Sequence, residues 1–182
     1  MNNRIQTKLT WLLVALIGIG LAGCTGIPEG TQPVKDFELD RYLGTWYEIA
    51  RMDHSFERGL SNVTAEYRLK DDGGVNVLNR GYNTDKETWE EAEGKAYFVG
   101  DSTIGQLKVS FFGPFYASYN IIALDKDSYQ WSLVTGPDKE YLWILSRTPD
   151  LDPSVTDRLV KMAKSLGYKT DELIFVSQDK NG

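Results

Sequence analysis

Cysteine and histidine are almost missing from this chain of 182 residues: it has one of each, Cys24 and His54. One cysteine cannot close a disulfide within the chain, so the fold must rest on its core. One histidine supplies no His-rich metal set, and a triad would need a nucleophile motif such as Gly-x-Ser-x-Gly, which does not occur. No Gly-x-Gly-x-x-Gly or phosphate loop is present, so no cofactor or metal is expected. Asp53 and Glu57 lie near His54, a pattern that arises often by chance and does not by itself make a metal site, and the run Glu90, Glu91, Glu93 reads as solvated loop and strand edge. Basic residues are also short: 20 Lys and Arg against 26 Asp and Glu give a net charge of −6. With no basic run, nucleic acid is excluded as a partner, as is electrostatic binding to anionic lipid. The longest apolar run, Trp11 to Leu21, has eleven residues. A membrane-spanning helix needs about 20.

That run is preceded by Arg4 and Lys8 and followed by Leu21-Ala22-Gly23-Cys24, the layout of a secretory signal. Leu-Ala-Gly-Cys resembles a bacterial lipoprotein processing box. The resemblance implies that residues 1–23 are removed and that Cys24 becomes the acylated N-terminus; the alternative is an ordinary signal with an incidental cysteine. In such lipoproteins an Asp after the cysteine retains the protein in the inner membrane, so Thr25 favours the outer one. Without residues 1–23 the net charge falls to −8. Residues 24–35 hold Gly26, Pro28, Gly30 and Pro33 and read as a flexible tether. Residues 36–182 form one domain, large enough to bury roughly 70% of its unfolded surface.

The domain reads as short β runs between turn signals. Strands are expected at 44–52, 62–70, 75–82, 93–99, 106–111, 116–124, 129–135 and 141–146. Asp71-Asp72-Gly73-Gly74, Asp125-Lys126-Asp127 and Gly136-Pro137-Asp138 supply turns. In the second run Val63, Ala65, Tyr67 and Leu69 alternate with Thr64, Glu66 and Arg68, the half-buried pattern. Eight successive strands on short connections can close into an up-and-down barrel that holds one small ligand. After them Asp152 is an N-cap and Pro153 a first helical residue. Val155, Leu159, Met162 and Leu166 form an apolar stripe that should lie against the outside of the barrel, and Gly167 ends the helix. A last strand at 173–176 should pair near the first.

The first strand opens with Gly44-Thr45-Trp46, and Arg147 lies far downstream. Gly44-x-Trp46 resembles the first signature of the lipocalins, where an Arg at the place of Arg147 packs on the Trp and closes the barrel floor. The strings GTWYEIAR, EGKAYF, KVSFFGPFY, YNIIALD and YLWILSR, in this order, resemble the bacterial outer-membrane lipoprotein lipocalins. The resemblance implies an all-β, eight-stranded antiparallel barrel with one flanking C-terminal helix. It also implies a non-enzymatic protein, lipid-anchored at the outer membrane with its barrel facing the periplasm. Such a protein binds a fatty acid or lysophospholipid in storage, transport or membrane maintenance under envelope stress; the resemblance also suggests a homodimer as a partner state.

With Trp46 at the floor, the loops after the first, third, fifth and seventh strands share the open end. Strand parity then offers Tyr67, Val109, Tyr116, Asn120 and Trp143 as ligand contacts, and Phe111, Phe112 and Phe115 as the mouth. Glu48, Ala50 and Met52 are expected on the face of Trp46. Two readings of the Phe-rich loop stay open: the upper wall of the pocket, or a rim that meets lipid, membrane or a second copy. An enzyme would need a paired acid–base set inside, where Glu48 is the one clear acid. The other alternative is a structural or interaction lipoprotein whose barrel is filled by its own side chains.

Overall fold

A computed structural model describes residues 25–180; the signal segment and Cys24 lie outside them. Nine strands run β1 (Gly44–Arg51), β2 (Leu60–Leu69), β3 (Val75–Asn83), β4 (Thr88–Phe98), β5 (Gln106–Ser110), β6 (Ala117–Leu124), β7 (Trp131–Thr135), β8 (Leu142–Ser146) and β9 (Ile174–Phe175). A short helix α1 (Leu39–Tyr42) precedes them, and α2 (Pro153–Ser165) lies between β8 and β9. Consecutive strands pair antiparallel from β1 to β8, and β1 also pairs with β8, which closes the barrel. β9 adds to β1 through Ala50↔Phe175 and Arg51↔Ile174.

Trp46 anchors the floor. It is fully buried, donates its indole N–H to Tyr42 O at 2.8 Å, and packs at a tilt against the Tyr42 ring with 4.6 Å between centroids. The Arg147 guanidinium carbon lies 3.9 Å from the Trp46 ring centroid. The same side chain donates to Thr45 O, Arg41 O and Tyr129 O, tying the start of β1 to α1 and to the β6–β7 connection. Gly44 has φ +92, a left-handed conformation that glycine adopts without strain at the entry to β1.

Inside the barrel, Trp46, Val75, Val77, Ala96, Leu107, Ile121, Val134 and Leu145 pack with Phe37 and Tyr42. Outside, α2 packs Leu159 and Ala163 on Ala50, Met52, Ala123, Leu133, Leu142 and Ile144. Asp152 caps α2 by accepting from Ser154 N at 2.8 Å. Met162 is 37% exposed, and Ala163 takes the inward place on the stripe instead, one residue later.

Three expectations from alternation fail where the ladder is irregular or ends. A bulge between Glu48 and Ala50 leaves Trp46 and Glu48 inside but turns Ala50 and Met52 outward against α2, and brings Arg51 into the interior. Leu69, at the end of β2, is exposed at 53%. On β6 the parity is shifted by one residue, with consequences for the site.

The N-terminal segment is docked, not loose. Val34 N donates to Ile121 O and Gly105 N to Val34 O, both at 2.8 Å. A Cβ on Gly105 would meet Val34 Cγ2 at 2.8 Å, so glycine admits this close approach. Thr31 folds back on Pro28 O through both its N–H and its hydroxyl. The Asn120 amide donates to Gly26 O and Gly136 O, 3.2 Å each. The chain therefore climbs the barrel wall from Phe37 at the floor to Gly26 beside the β7–β8 connection.

Candidate ligand cavity

The barrel holds a space not filled by protein atoms, open to solvent at its outer part. Its wall is overwhelmingly apolar, from Val63, Ala65, Val75, Val77, Leu107 and Val109. Small side chains at Ala65 and Ala96 keep the bore open between aromatic residues.

Of the contacts expected from parity, Tyr67, Val109 and Trp143 line this space. Tyr116 and Asn120 do not. Asn120 is fully buried with its amide under the N-terminal segment, on the outer face, and Tyr116 is half-buried beside Lys108, whose ammonium is 5.1 Å from the ring centroid. Tyr119 is the β6 residue that faces the cavity. A one-residue slip exchanges the faces of a strand, and here the sign came from the irregular pairing between Ile121 and Ala123. The expected mouth residues divide. Phe111 folds into the cavity wall and packs over Gly94, whereas Phe112 is 82% and Phe115 67% exposed.

Two polar groups interrupt the apolar wall. Deep in the barrel, the hydroxyls of Tyr42, Tyr119 and Tyr67 form a chain with 2.9 Å links, extended to Ser132 Oγ at 3.0 Å. Burial raises Tyr42 to about 12 against the pull of its hydroxyl partners, and pushes Tyr67 and Tyr119 up as well, so all three stay neutral. Sequence reasoning missed Tyr42 and Tyr119. Tyr42 lies outside the strands, on α1, and gave no periodic signal.

Nearer the mouth, Glu48, Arg51, His54 and Glu57 are all buried. Arg51 donates to Glu48 Oε1 at 2.7 Å and to the carbonyls of Glu57 and Leu60. Glu57 Oε2 accepts from Trp143 Nε1 and lies 3.0 Å from His54 Nε2. Burial and then the Glu57 charge push Glu48 well above the usual carboxylate range, although Arg51 opposes them. Burial also acts to raise Glu57, but His54, the Trp143 indole and Arg51 together hold it lower. Of the two acids, Glu48 is therefore the one biased toward its protonated form. Glu48 was visible as an inward acid in the sequence; Arg51 and Glu57 entered only through the bulge and the fold of the β1–β2 loop. His54 stacks on Phe56 at 3.9 Å and lies 5.2 Å from Trp143, making an aromatic collar at the mouth.

A family profile described as a lipocalin-like domain matches residues 37–178. The outer membrane lipoprotein Blc of Vibrio cholerae is 57% identical over 167 residues, 92% of this chain and 98% of that protein. Its namesake in Escherichia coli K12 is 56% identical over 151 residues, 83% of this chain and 85% of that one. Insecticyanin from the tobacco hornworm Manduca sexta superposes with a TM-score of 0.67 over 84% of this chain and 86% of its own, at 24% identity, a likeness of fold. The closed eight-stranded barrel, the Trp46–Arg147 floor and these matches agree: the chain belongs to the lipocalin family, among the bacterial outer-membrane lipoproteins.

Proposed function

We propose that this protein holds a single-chain lipophilic molecule, a fatty acid or lysophospholipid, in its barrel and stores or carries it at the outer membrane, without catalysing a reaction. The observation that carries the reading is the apolar-walled space inside the barrel, open at the mouth. Burial of an acyl chain contributes about 0.8 kcal/mol per CH₂, which suffices for tight binding with no reactive group. Tyr67, Val109 and Trp143 contact the chain, with Tyr119 in the β6 place that parity had given to Asn120. Cys24 carries the acyl anchor. The empty bore speaks against a barrel filled by its own side chains, and the buried acids are occupied by Arg51, His54 and Trp143 rather than set beside a nucleophile.

The test is native mass spectrometry on the chain from Thr25, purified without detergent and then offered fatty acids and lysophospholipids. A retained lipid mass that disappears in Ala65→Trp, which fills the bore, supports the carrier. A polypeptide that stays bare with every lipid offered overturns it and leaves an interaction lipoprotein.

A further inference from the structure

The residues that could cover the open end of the barrel are not distributed at random. Phe112, Phe115 and Phe56 are exposed at 82, 67 and 59%, and all three stand on the loops after β5 and β1, at the open end. The loop from Phe111 to Tyr116 contains no charged residue. Charge marks the closed-end connections, with Lys70, Asp71 and Asp72 between β2 and β3 and Asp125, Lys126 and Asp127 between β6 and β7, and also the other two open-end loops, with Asp85, Lys86 and Glu87 and Asp138, Lys139 and Glu140; the exposed phenylalanines of the mouth are confined to the loops after β1 and β5.

The path of the N-terminal segment says what meets this rim. Gly26 is held at the β7–β8 connection, its carbonyl sharing the Asn120 amide with Gly136 O, and a Cβ on it would lie 3.8 Å from Pro137 O. That connection belongs to the open end. Cys24 is two residues before Gly26, so its Cα is within about 8 Å of Gly26. A barrel standing on its closed end would require those two residues to run the length of β1, whose eight residues at about 3.3 Å each cover roughly 26 Å. They cannot, unless the segment peels away from Asn120, Ile121 and Gly105.

We infer that the barrel docks on the bilayer mouth first, with Phe112, Phe115 and Phe56 seated in the lipid interface and the cavity opening directly onto the leaflet that holds the anchor. This rests on the acylation of Cys24 proposed above. The partner is a lipid surface rather than a second copy because the covalent anchor brings that surface to within two residues of the rim. Exposed aromatic rings, two of them on a loop without charge, are suited to the headgroup–acyl boundary. Lipid then passes between membrane and bore without crossing water, while the acidic closed end faces the periplasm.

The experiment uses the full lipidated chain in vesicles of phosphatidylethanolamine and phosphatidylglycerol. Acylated Cys24 has no free thiol and the chain has no other cysteine, so Phe112→Cys and, at the closed end, Asp71→Cys each give one labelling site. Both replaced side chains are exposed. Flotation with the vesicles reads the anchor, and quenching of a thiol-linked fluorophore by aqueous iodide reads the orientation. Loss of quenching at 112, with quenching retained at 71, supports the inference. Protein that floats but is quenched equally at both sites overturns the orientation and leaves the anchor intact. Floating protein in which unlabelled Phe112→Cys forms disulfide-linked dimers assigns the rim to a second copy and also overturns it. Protein that does not float removes the anchor and the inference together.

Discussion

Arg147 does two things that no other residue could do from its place. Its guanidinium covers the Trp46 ring at 3.9 Å and satisfies three backbone carbonyls from different parts of the floor. Lysine has a single ammonium and lacks the planar fork, so Arg147→Lys retains the charge but not the arrangement. Replacement by alanine should cost about 2–4 kcal/mol, the ring contact plus the hydrogen bonds to a charged donor. Denaturant unfolding of wild type and variant measures it, and a difference near zero would remove Arg147 from the account of the floor. At Glu48 the expectation concerns pH. Its folded-state pKa is raised, so its favourable contribution is complete below the ordinary value of 4.5 and is lost as pH rises toward the folded value. Glu48→Gln retains an acceptor for Arg51 and cannot ionise. It should therefore unfold at higher denaturant than wild type at pH 8, with the advantage shrinking toward pH 4.5. Parallel stability curves for the two proteins would show that Glu48 does not hold the proton.

Among the elements, what could be read from the sequence was whatever repeats or punctuates. The eight barrel strands, their turns, the Asp152 cap and the final β9 follow from alternation, Gly and Asp clusters and a helix-start signal, and they lie near where those signals put them, except that β4 begins at Thr88, five residues before the expected 93, in a stretch too polar to read as strand. Face assignment failed at irregular places. The bulge at Glu48–Ala50 and the break at Ile121–Ala123 each reverse a parity that simple counting carries through, and so Asn120 was placed inside and Tyr119 missed. No local signal marks the bulge at Glu48–Ala50, because the extra residue is accommodated by pairing with β8, nearly a hundred residues away. The N-terminal segment was misread for a related reason. Gly26, Pro28, Gly30 and Pro33 have the composition of a loose tether, yet its hydrogen bonds go to Gly105, Asn120 and Ile121, far along the chain. Asn120→Ala tests this docking. It removes the amide that bridges Gly26 O and Gly136 O, and should cost about 1–3 kcal/mol because buried carbonyls lose their donor. Amide hydrogen exchange should accelerate from Gly26 to Val34 while strands β2 to β4 keep wild-type protection. Unchanged exchange in that segment would mean that Ile121 and Gly105 hold it alone.

At the scale of the whole molecule, the barrel is a tube with a hard end and a soft one. Trp46, Tyr42 and Phe37 seal the floor, the tyrosine hydroxyls Tyr42, Tyr119 and Tyr67 lie near it, and the mouth is ringed by His54, Phe56 and Trp143. A single acyl chain threaded from the mouth would add buried CH₂ groups in sequence, each worth about 0.8 kcal/mol, or roughly a fourfold gain in affinity. That gain must stop when the chain reaches the tyrosines, since a methyl group there meets hydroxyls already satisfied by one another. A titration series of lysophospholipids with lengthening acyl chains, followed by calorimetry, should therefore show steadily falling Kd and then a plateau. Tyr67→Ala removes part of the inner wall and should move the plateau to longer chains, with little effect on short ones. If affinity is the same for all chain lengths, the acyl chain does not lie in the bore, and the apolar wall from Val63 to Leu145 would need another occupant.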